Sequence, residues 1–267
     1  MKKLTLKESQ ALQLNLMKEI HKVCEENKIT YYLIAGSCLG AVRHGGFIPW
    51  DDDIDIGMFR KDYEKFCLIF DEKMNTDKYF LQNFKTDPNV HFALSRVCIK
   101  GTFYSNKRTD EKDICHNAYI DLFPLDNVPD NSFLSSLQSC LYCLVKLFVV
   151  AKTLKFDKIH SMIFFSLLKV GLCFVPLRWL HVLRNCIMKS FENISTKEVC
   201  SLASKYSCKK QTMPIQYYQP PVRLSFEGNM FNVPAKTDKY LSHLYGEHFM
   251  ELPPVEKRVK PHPIFIE

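Results

Sequence analysis

No apolar run follows Met1-Lys2-Lys3; Leu4-Thr5-Leu6-Lys7-Glu8 is already mixed, so no secretory signal is expected. Eleven cysteines spread over 267 residues are too dilute for a disulfide scaffold and read as free thiols of a reducing cytosol. H-E-x-x-H is absent, and no Lys-Ser/Thr follows the Gly-Ser at 36–37, which argues against zinc-peptidase and P-loop chemistry. There is no internal repeat and no low-complexity tract. With 46% hydrophobic and 24% charged residues, a disordered chain, a collagen and a coiled-coil rod are excluded.

Acid is nearly missing from one segment. Between Phe133 and Ser190 stand eight Lys or Arg and a single acid, Asp157, so this stretch carries the whole net charge of +7. It is also the most apolar part, with Leu147-Phe148-Val149-Val150 and Gly171-Leu172-Cys173-Phe174-Val175. Lys146 and Lys169 leave no charge-free run of the ~18 residues that a spanning helix needs. A basic, apolar, helical segment of this kind reads either as lying on an anionic membrane surface or as an all-round-buried helical lid with solvated lysines. No DNA- or RNA-binding motif accompanies the charge, so nucleic acid is not an expected partner.

Local signals place most elements. Thr5-Leu6-Lys7-Glu8 is a capping box, and Leu12, Leu16, Ile20 and Val23 continue it as a helix to about Asn27. Tyr31 to Ala35 reads as a buried strand, Cys38 to His44 as a helix, and Asp53 to Ile56 as an alternating strand. Arg60 to Phe70 is helical; Tyr79–Lys85, His91–Ile99 and Ala118–Phe123 read as strands. Helices are expected over 133–190, broken near Gly171 and Pro176, then over Thr196–Tyr206 and Lys236–Tyr245. Val222 to Val233 reads as a hairpin around Glu227-Gly228-Asn229, and the proline-rich tail from Leu252 to Pro263 is expected to wrap the surface.

The chemistry concentrates in Ala35 to Ile56, AGSCLGAVRHGGFIPWDDDIDI. Gly36-Ser37, between strand and helix, offers backbone N–H groups to a phosphate. Asp53 and Asp55 share one face of a strand, with Asp51 in phase and Asp52 out of phase. Two carboxylates side by side repel unless a cation separates them, and oxygen ligands suit Mg²⁺ or Mn²⁺; the bland alternative is a solvated acidic turn. Asp121, a lone acid in the apolar run Tyr119 to Phe123, is the third candidate; the bland alternative pairs it with Arg43 or Arg96. Arg43 and His44 follow on the helix as candidate phosphate contacts, although His44 serves equally well as a helix-end cap.

This 22-residue block closely resembles the LicD family of phosphotransferases, which share it with fukutin-type proteins. The resemblance continues through Ile120 to Asp126, Phe226-Glu227-Gly228, Tyr245-Gly246, Leu252-Pro253-Pro254 and Lys257-Arg258. It implies an α/β fold, a nucleotidyltransferase-like mixed sheet flanked by helices, with a helical insertion and a C-terminal extension. It implies that Gly36 and Ser37 hold phosphate, that Asp53 and Asp55 bind the metal, and that Asp121 completes the site or takes the acceptor's proton. The implied donors are CDP-choline, CDP-ribitol or CDP-glycerol; the implied acceptor is a sugar hydroxyl of a glycan or lipid-linked glycan. A quaternary ammonium would need an aromatic face, for which Phe47, Trp50 and Phe123 are candidates. Two departures stand out: Arg96-Val97-Cys98 replaces a Lys-x-Arg pair, and Ala118 replaces a glycine. Nucleotidyl transfer releasing pyrophosphate, and a non-catalytic glycan-binding protein, remain alternatives. The expected organisation is a catalytic core over 1–130, a helical region over 131–206 and a C-terminal segment over 207–267, cytoplasmic and peripheral on the inner face of the cytoplasmic membrane.

Overall fold

The computed structural model describes residues 2–104, 117–154, 159–258, 262 and 264–266. Strand β1 (Lys2–Lys3) leads into α1 (Leu6–Glu26), whose capping box is formed as expected: Glu8 N–H donates to Thr5 Oγ1, and Thr5 N–H to Glu8. β2 (Tyr32–Leu33), α2 (Ala35–His44), β3 (Asp55–Phe59) and α3 (Arg60–Lys73) follow. Next come β4 (Tyr79–Gln82), β5 (Ser95–Ile99), β6 (Thr102–Tyr104) and β7 (Tyr119–Val128). Three helices, α4 (Ser132–Thr153), α5 (Ile159–Gly171) and α6 (Leu177–Met188), precede β8 (Glu198–Cys200), α7 (Cys208–Gln211) and β9 (Thr212–Pro214). The hairpin β10 (Val222–Phe226) and β11 (Asn229–Val233), then α8 (Thr237–Tyr245) and β12 (Ile264–Ile266), complete the chain.

The main sheet runs in the order β2-β3-β7-β5-β4, with β8 paired to β7 and β9 to β8. β3 and β7 are parallel; the other pairs are antiparallel, which makes the mixed α/β sheet anticipated above. Leu16, Met17 and Ile20 of α1, Phe66 and Phe70 of α3, and Ile56, Ile120 and Leu122 of the central strands form one buried core. β7 extends well past the expected end at Phe123 and runs through Pro124. Asp121 N–H donates to Ile54 O, so alternate residues 123 and 125 turn toward β3. The nitrogen of Pro124 therefore faces the opposite edge, beyond Leu122, the last residue paired with β5, and no ladder bond is lost there.

Two sequence readings change. Thr196–Tyr206 is not a helix: Glu198–Cys200 pairs with Asp126–Val128, and Ser201 to Ser207 is a loop. Val199, Leu202 and Ala203 mimic helical spacing, but the long-range pairing of a buried strand overrides it. Secondly, α4 is long and apolar enough to cross a membrane by length and composition, because its two lysines fall toward one end. Of the helical-region readings, those on residues 155–158 lie outside the described residues, as do those of the tail on 259–261 and 263.

α6 is fastened to the sheet side by buried polar groups. Arg184 donates to His91 O and Phe92 O; His181 Nε2 lies 2.9 Å from Pro88 O and its Nδ1 3.1 Å from Arg184 Nη2. Nε2 therefore carries the proton and Nδ1 accepts. Burial first, then the Arg184 charge, pulls His181 down to about 4; burial and Arg96 pull His91 there too. Both stay neutral in the fold and bind protons more readily unfolded. Stability is therefore full above pH ~6.5 and falls as pH drops from there toward ~4. A melting series across this interval is expected to show that loss, and His181→Gln to flatten it; an unchanged pH slope in the variant would reject the assignment.

Candidate active site

The register of three strands aligns the central charges. Asp55 on β3 is the cross-strand partner of Asp121 on β7, and Asp121 is the partner of Arg96 on β5. Adjacent strands lie about 4.8 Å apart, so the three side chains form one row across the sheet. Ile54, Ile56, Ile120 and Leu122 alternate with the acids and are fully buried. Arg96 Nε donates to Asp121 Oδ1 at 2.8 Å, and its guanidinium lies 4.2 Å from the Phe92 ring centre and 3.9 Å from that of Tyr119. The ion-pair alternative for Asp121 is thus realised with Arg96, while Arg43 turns elsewhere.

Asp53 stands just before β3 rather than within it, since the strand begins at Asp55. It opens onto a cavity of about 730 Å³ that Asp51, Asp55 and Asp121 also line. Asp53 is exposed to solvent, while Asp51, Asp55 and Asp121 are half-buried. Enclosure by protein, followed by mutual repulsion, raises Asp53 well above the usual carboxylate range. Asp55 is pushed up to about 8 by the same causes, with Asp121 its strongest charged neighbour. Burial also raises Asp51 and Asp121, against the pull of Arg96 on the latter. Asp52 also lines the cavity, although its phase pointed elsewhere: it is buried, its Oδ2 accepts the His262 N–H at 2.6 Å, and its charge acts on Asp51 and Asp53.

The phosphate-turn candidates divide. Gly36 lines the cavity in the first turn of α2, and a Cβ there would sit 3.0 Å from Asp51 Oδ2, close enough that the carboxylate would have to shift. The preceding Ala35 has φ +47°, an unfavourable value for a residue with a Cβ, and its N–H is held by Tyr240 Oη. Ser37 is buried away from the cavity, where its Oγ accepts the Asp55 N–H at 2.8 Å. Its observed work is to position Asp55. Arg43 lines the cavity but donates to Phe249 O and Glu251 O, binding the C-terminal segment across the mouth. His44 accepts from Arg43 Nε and meets Trp50 edge-on.

The sequence reading missed the far wall. The loop after β8 brings Ser204, Lys205 and Tyr206 to the cavity, and α8 brings Tyr245. Lys205 is exposed, and its charge favours ionisation of Asp51, Asp55 and Asp121. Misreading 196–206 as a helix hid this residue; an isolated lysine carries no motif. Among the aromatic candidates, Trp50 and Phe123 line the cavity, whereas Phe47 is buried against Phe226. Arg258 already stacks 4.2 Å from the Trp50 ring centre. The Glu227-Gly228 turn braces the site from behind: Glu227 Oε1 accepts the Phe47 N–H, and a Cβ on Gly46 would collide with that carboxylate at 2.1 Å.

The donor set is all oxygen, crowded, and opposed chiefly by Arg96 and Lys205, which suits a hard divalent cation. Among the described residues, no three His, Cys, Asp or Glu side chains are already arranged around a metal position. One Asp121 oxygen is committed to Arg96, so the fit is one of chemistry and proximity.

Residues 28–138 match the family described as LicD/FKTN/FKRP, nucleotidyltransferase domain. The chain is 30% identical to the lipopolysaccharide cholinephosphotransferase LicD of Haemophilus influenzae, over 99% of its own length and 98% of that protein. It is 50% identical over 40 residues to the human ribitol 5-phosphate transferase FKRP, a match covering 15% of this chain and 8% of that one. With an Asp-x-Asp edge, a partnered third aspartate and a full-length relative, this chain belongs to the LicD family of phosphotransferases.

Proposed function

We propose that the enzyme transfers a phospho-substituent, phosphocholine first among the candidates, from a CDP-linked donor to a sugar hydroxyl of a cell-surface glycan. The observation that supports it most is the Asp55–Asp121 register pair beside Asp53, facing a cavity of nucleotide size. Asp53, Asp55 and Asp121 would hold Mg²⁺ or Mn²⁺. The ion, when bound, offsets the charge of the donor's pyrophosphate and of the leaving CMP. Arg96 orients Asp121; Gly36 gives the donor close approach to the first turn of α2; Lys205 faces the phosphates from the opposite wall. The sugar oxygen attacks the distal phosphorus, the bond to CMP breaks, and a cluster carboxylate takes the hydroxyl proton. Tyr206 and Tyr245 add aromatic faces for a quaternary ammonium to those of Trp50 and Phe123.

The test is product analysis with CDP-choline, CDP-ribitol and CDP-glycerol in turn, each with Mg²⁺ and a glycan acceptor. Free CMP together with a phosphorylated glycan is expected from one donor. Pyrophosphate release would instead establish nucleotidyl transfer, and binding without turnover a non-catalytic protein.

The same reading places the enzyme peripherally on the inner face of the cytoplasmic membrane, near a lipid-linked acceptor. Phe174 is 94% exposed and Trp179 71%, with Leu167 and Val170 exposed nearby in sequence and Lys169 and Arg178 among them. Apolar tips beside basic residues suit an anionic bilayer surface. Phe174→Ser combined with Trp179→Ser is expected to lower binding to anionic phospholipid vesicles by about tenfold or more, from the loss of two inserted aromatics. Equal sedimentation of both proteins with the vesicles would remove the membrane part and leave the transfer reaction untouched.

A further inference from the structure

The loop that carries Lys205 and Tyr206 begins and ends at a cysteine: β8 closes on Cys200 and α7 opens on Cys208. The two are joined already by a hydrogen bond from the Cys200 thiol to Cys208 O at 3.5 Å. α4 supplies the third thiol, Cys143, along with Ser139 and Lys146, and Lys146 Nζ donates to Ser204 O inside the loop at 3.3 Å. Cys200 is buried, Cys208 half-buried and Cys143 exposed, so small reagents have a path in from the α4 side. None of these groups takes part in the transfer chemistry.

We propose that Cys143, Cys200 and Cys208 form a peroxide-responsive thiol site, in which a Cys200–Cys208 disulfide staples the base of the Lys205–Tyr206 loop. Its effect on the enzyme rests on the function proposed above, because that loop forms the wall facing the acids. The chemistry of the cluster suits the role. Cys200, Ser139, Cys143 and the Lys146 charge surround the Cys208 sulfur and pull its thiol below the usual range, while Cys200, its partner, is raised. Burial pushes the thiols of Cys24 and Cys38 the other way, so those remain inert.

In the first step the Cys208 thiolate attacks hydrogen peroxide. An S–O bond forms, the O–O bond breaks, and the departing hydroxide takes a proton to become water. In the second step Cys200 gives up its proton and attacks the sulfenic sulfur. The S–S bond forms and the S–O bond breaks, releasing a second water. Two thiols are oxidised, one peroxide is reduced, and added dithiol reverses the change.

The full chain is treated with equimolar hydrogen peroxide, blocked with N-ethylmaleimide and cut with trypsin, which cleaves after Lys197, Lys205 and Lys209. The expected product is residues 198–205 linked to 206–209, two hydrogens lighter than the free peptides and separated by dithiothreitol. Amide exchange over 201–207 is expected to slow about tenfold in the linked form, as a closed loop samples fewer open states. Iodoacetamide labelling of Cys208 is expected to rise with a midpoint below that of an ordinary thiol. A midpoint near the ordinary ~8.5, a Cys143–Cys208 link, no link, or labelling that appears only after a chelator is added would each overturn the proposal. The link is also expected in Asp53→Asn, so a failed transferase assay does not bear on the thiols, and a missing link leaves the transferase reading intact.

Discussion

Replacing Asp53 by Asn is expected to abolish transfer while making the protein more resistant to heat. In the wild type, enclosure and the charges of Asp55, Asp51, Asp52 and Asp121 all raise the Asp53 carboxyl. Such a group costs the fold stability whenever it is ionised without a counter-ion. An amide of the same shape removes the charge, keeps the volume, and ends the repulsion with Asp55. Because Asp53 is exposed and water screens its repulsion, a rise in melting temperature of only about 1–2 °C is expected. Turnover is expected to fall by about 10³-fold or more, the scale seen when a group that stabilises transition-state charge is lost. Mg²⁺ is expected to raise the melting temperature of the wild type and to do so far less in the variant. A variant that is less stable, or nearly as active as wild type, would show that Asp53 is an ordinary solvated acid.

The parts of this site that were legible in the sequence are those whose cause is local. The Thr5–Glu8 box, the Glu227-Gly228 turn with φ +50° and +72°, and the alternation of Asp55 with Ile54 and Ile56 each depend on neighbours a few residues away. The parts that were hidden depend on distant partners. Ser37 is a donor-type residue in a phosphate-turn position, yet the Asp55 N–H, 18 residues on, claims its hydroxyl. Arg43 is placed to greet a phosphate but is engaged by two carbonyls more than 200 residues away. β8 exists because Asp126–Val128 offers it an edge, and Lys205 reaches the cavity only as a consequence. Local pattern thus exposes ligand chemistry more readily than it exposes the competing internal partners of the same side chains.

Arg96 separates the structural and catalytic sides of the row. Replaced by Met, it leaves Asp121 enclosed beside Asp55 with its direct ion-pair partner gone, a change that typically costs about 3–5 kcal/mol. The stacking between Phe92 and Tyr119 is lost as well. Lysine restores the charge but not the planar fork that fits between two rings, so Arg96→Lys is expected to recover only part of the stability. The informative variant is Arg96→Met combined with Asp121→Leu, in which neither charge is left unpaired. It is expected to recover most of the lost stability in urea unfolding and to remain inactive, because the row then lacks its third carboxylate. If the double variant transfers phosphocholine at near wild-type rate, Asp121 is only the partner of a structural ion pair, and the reaction runs on Asp53 and Asp55 alone. If instead it unfolds as readily as Arg96→Met, the stacking of Arg96 on its two rings, rather than its pairing with Asp121, holds this end of the sheet.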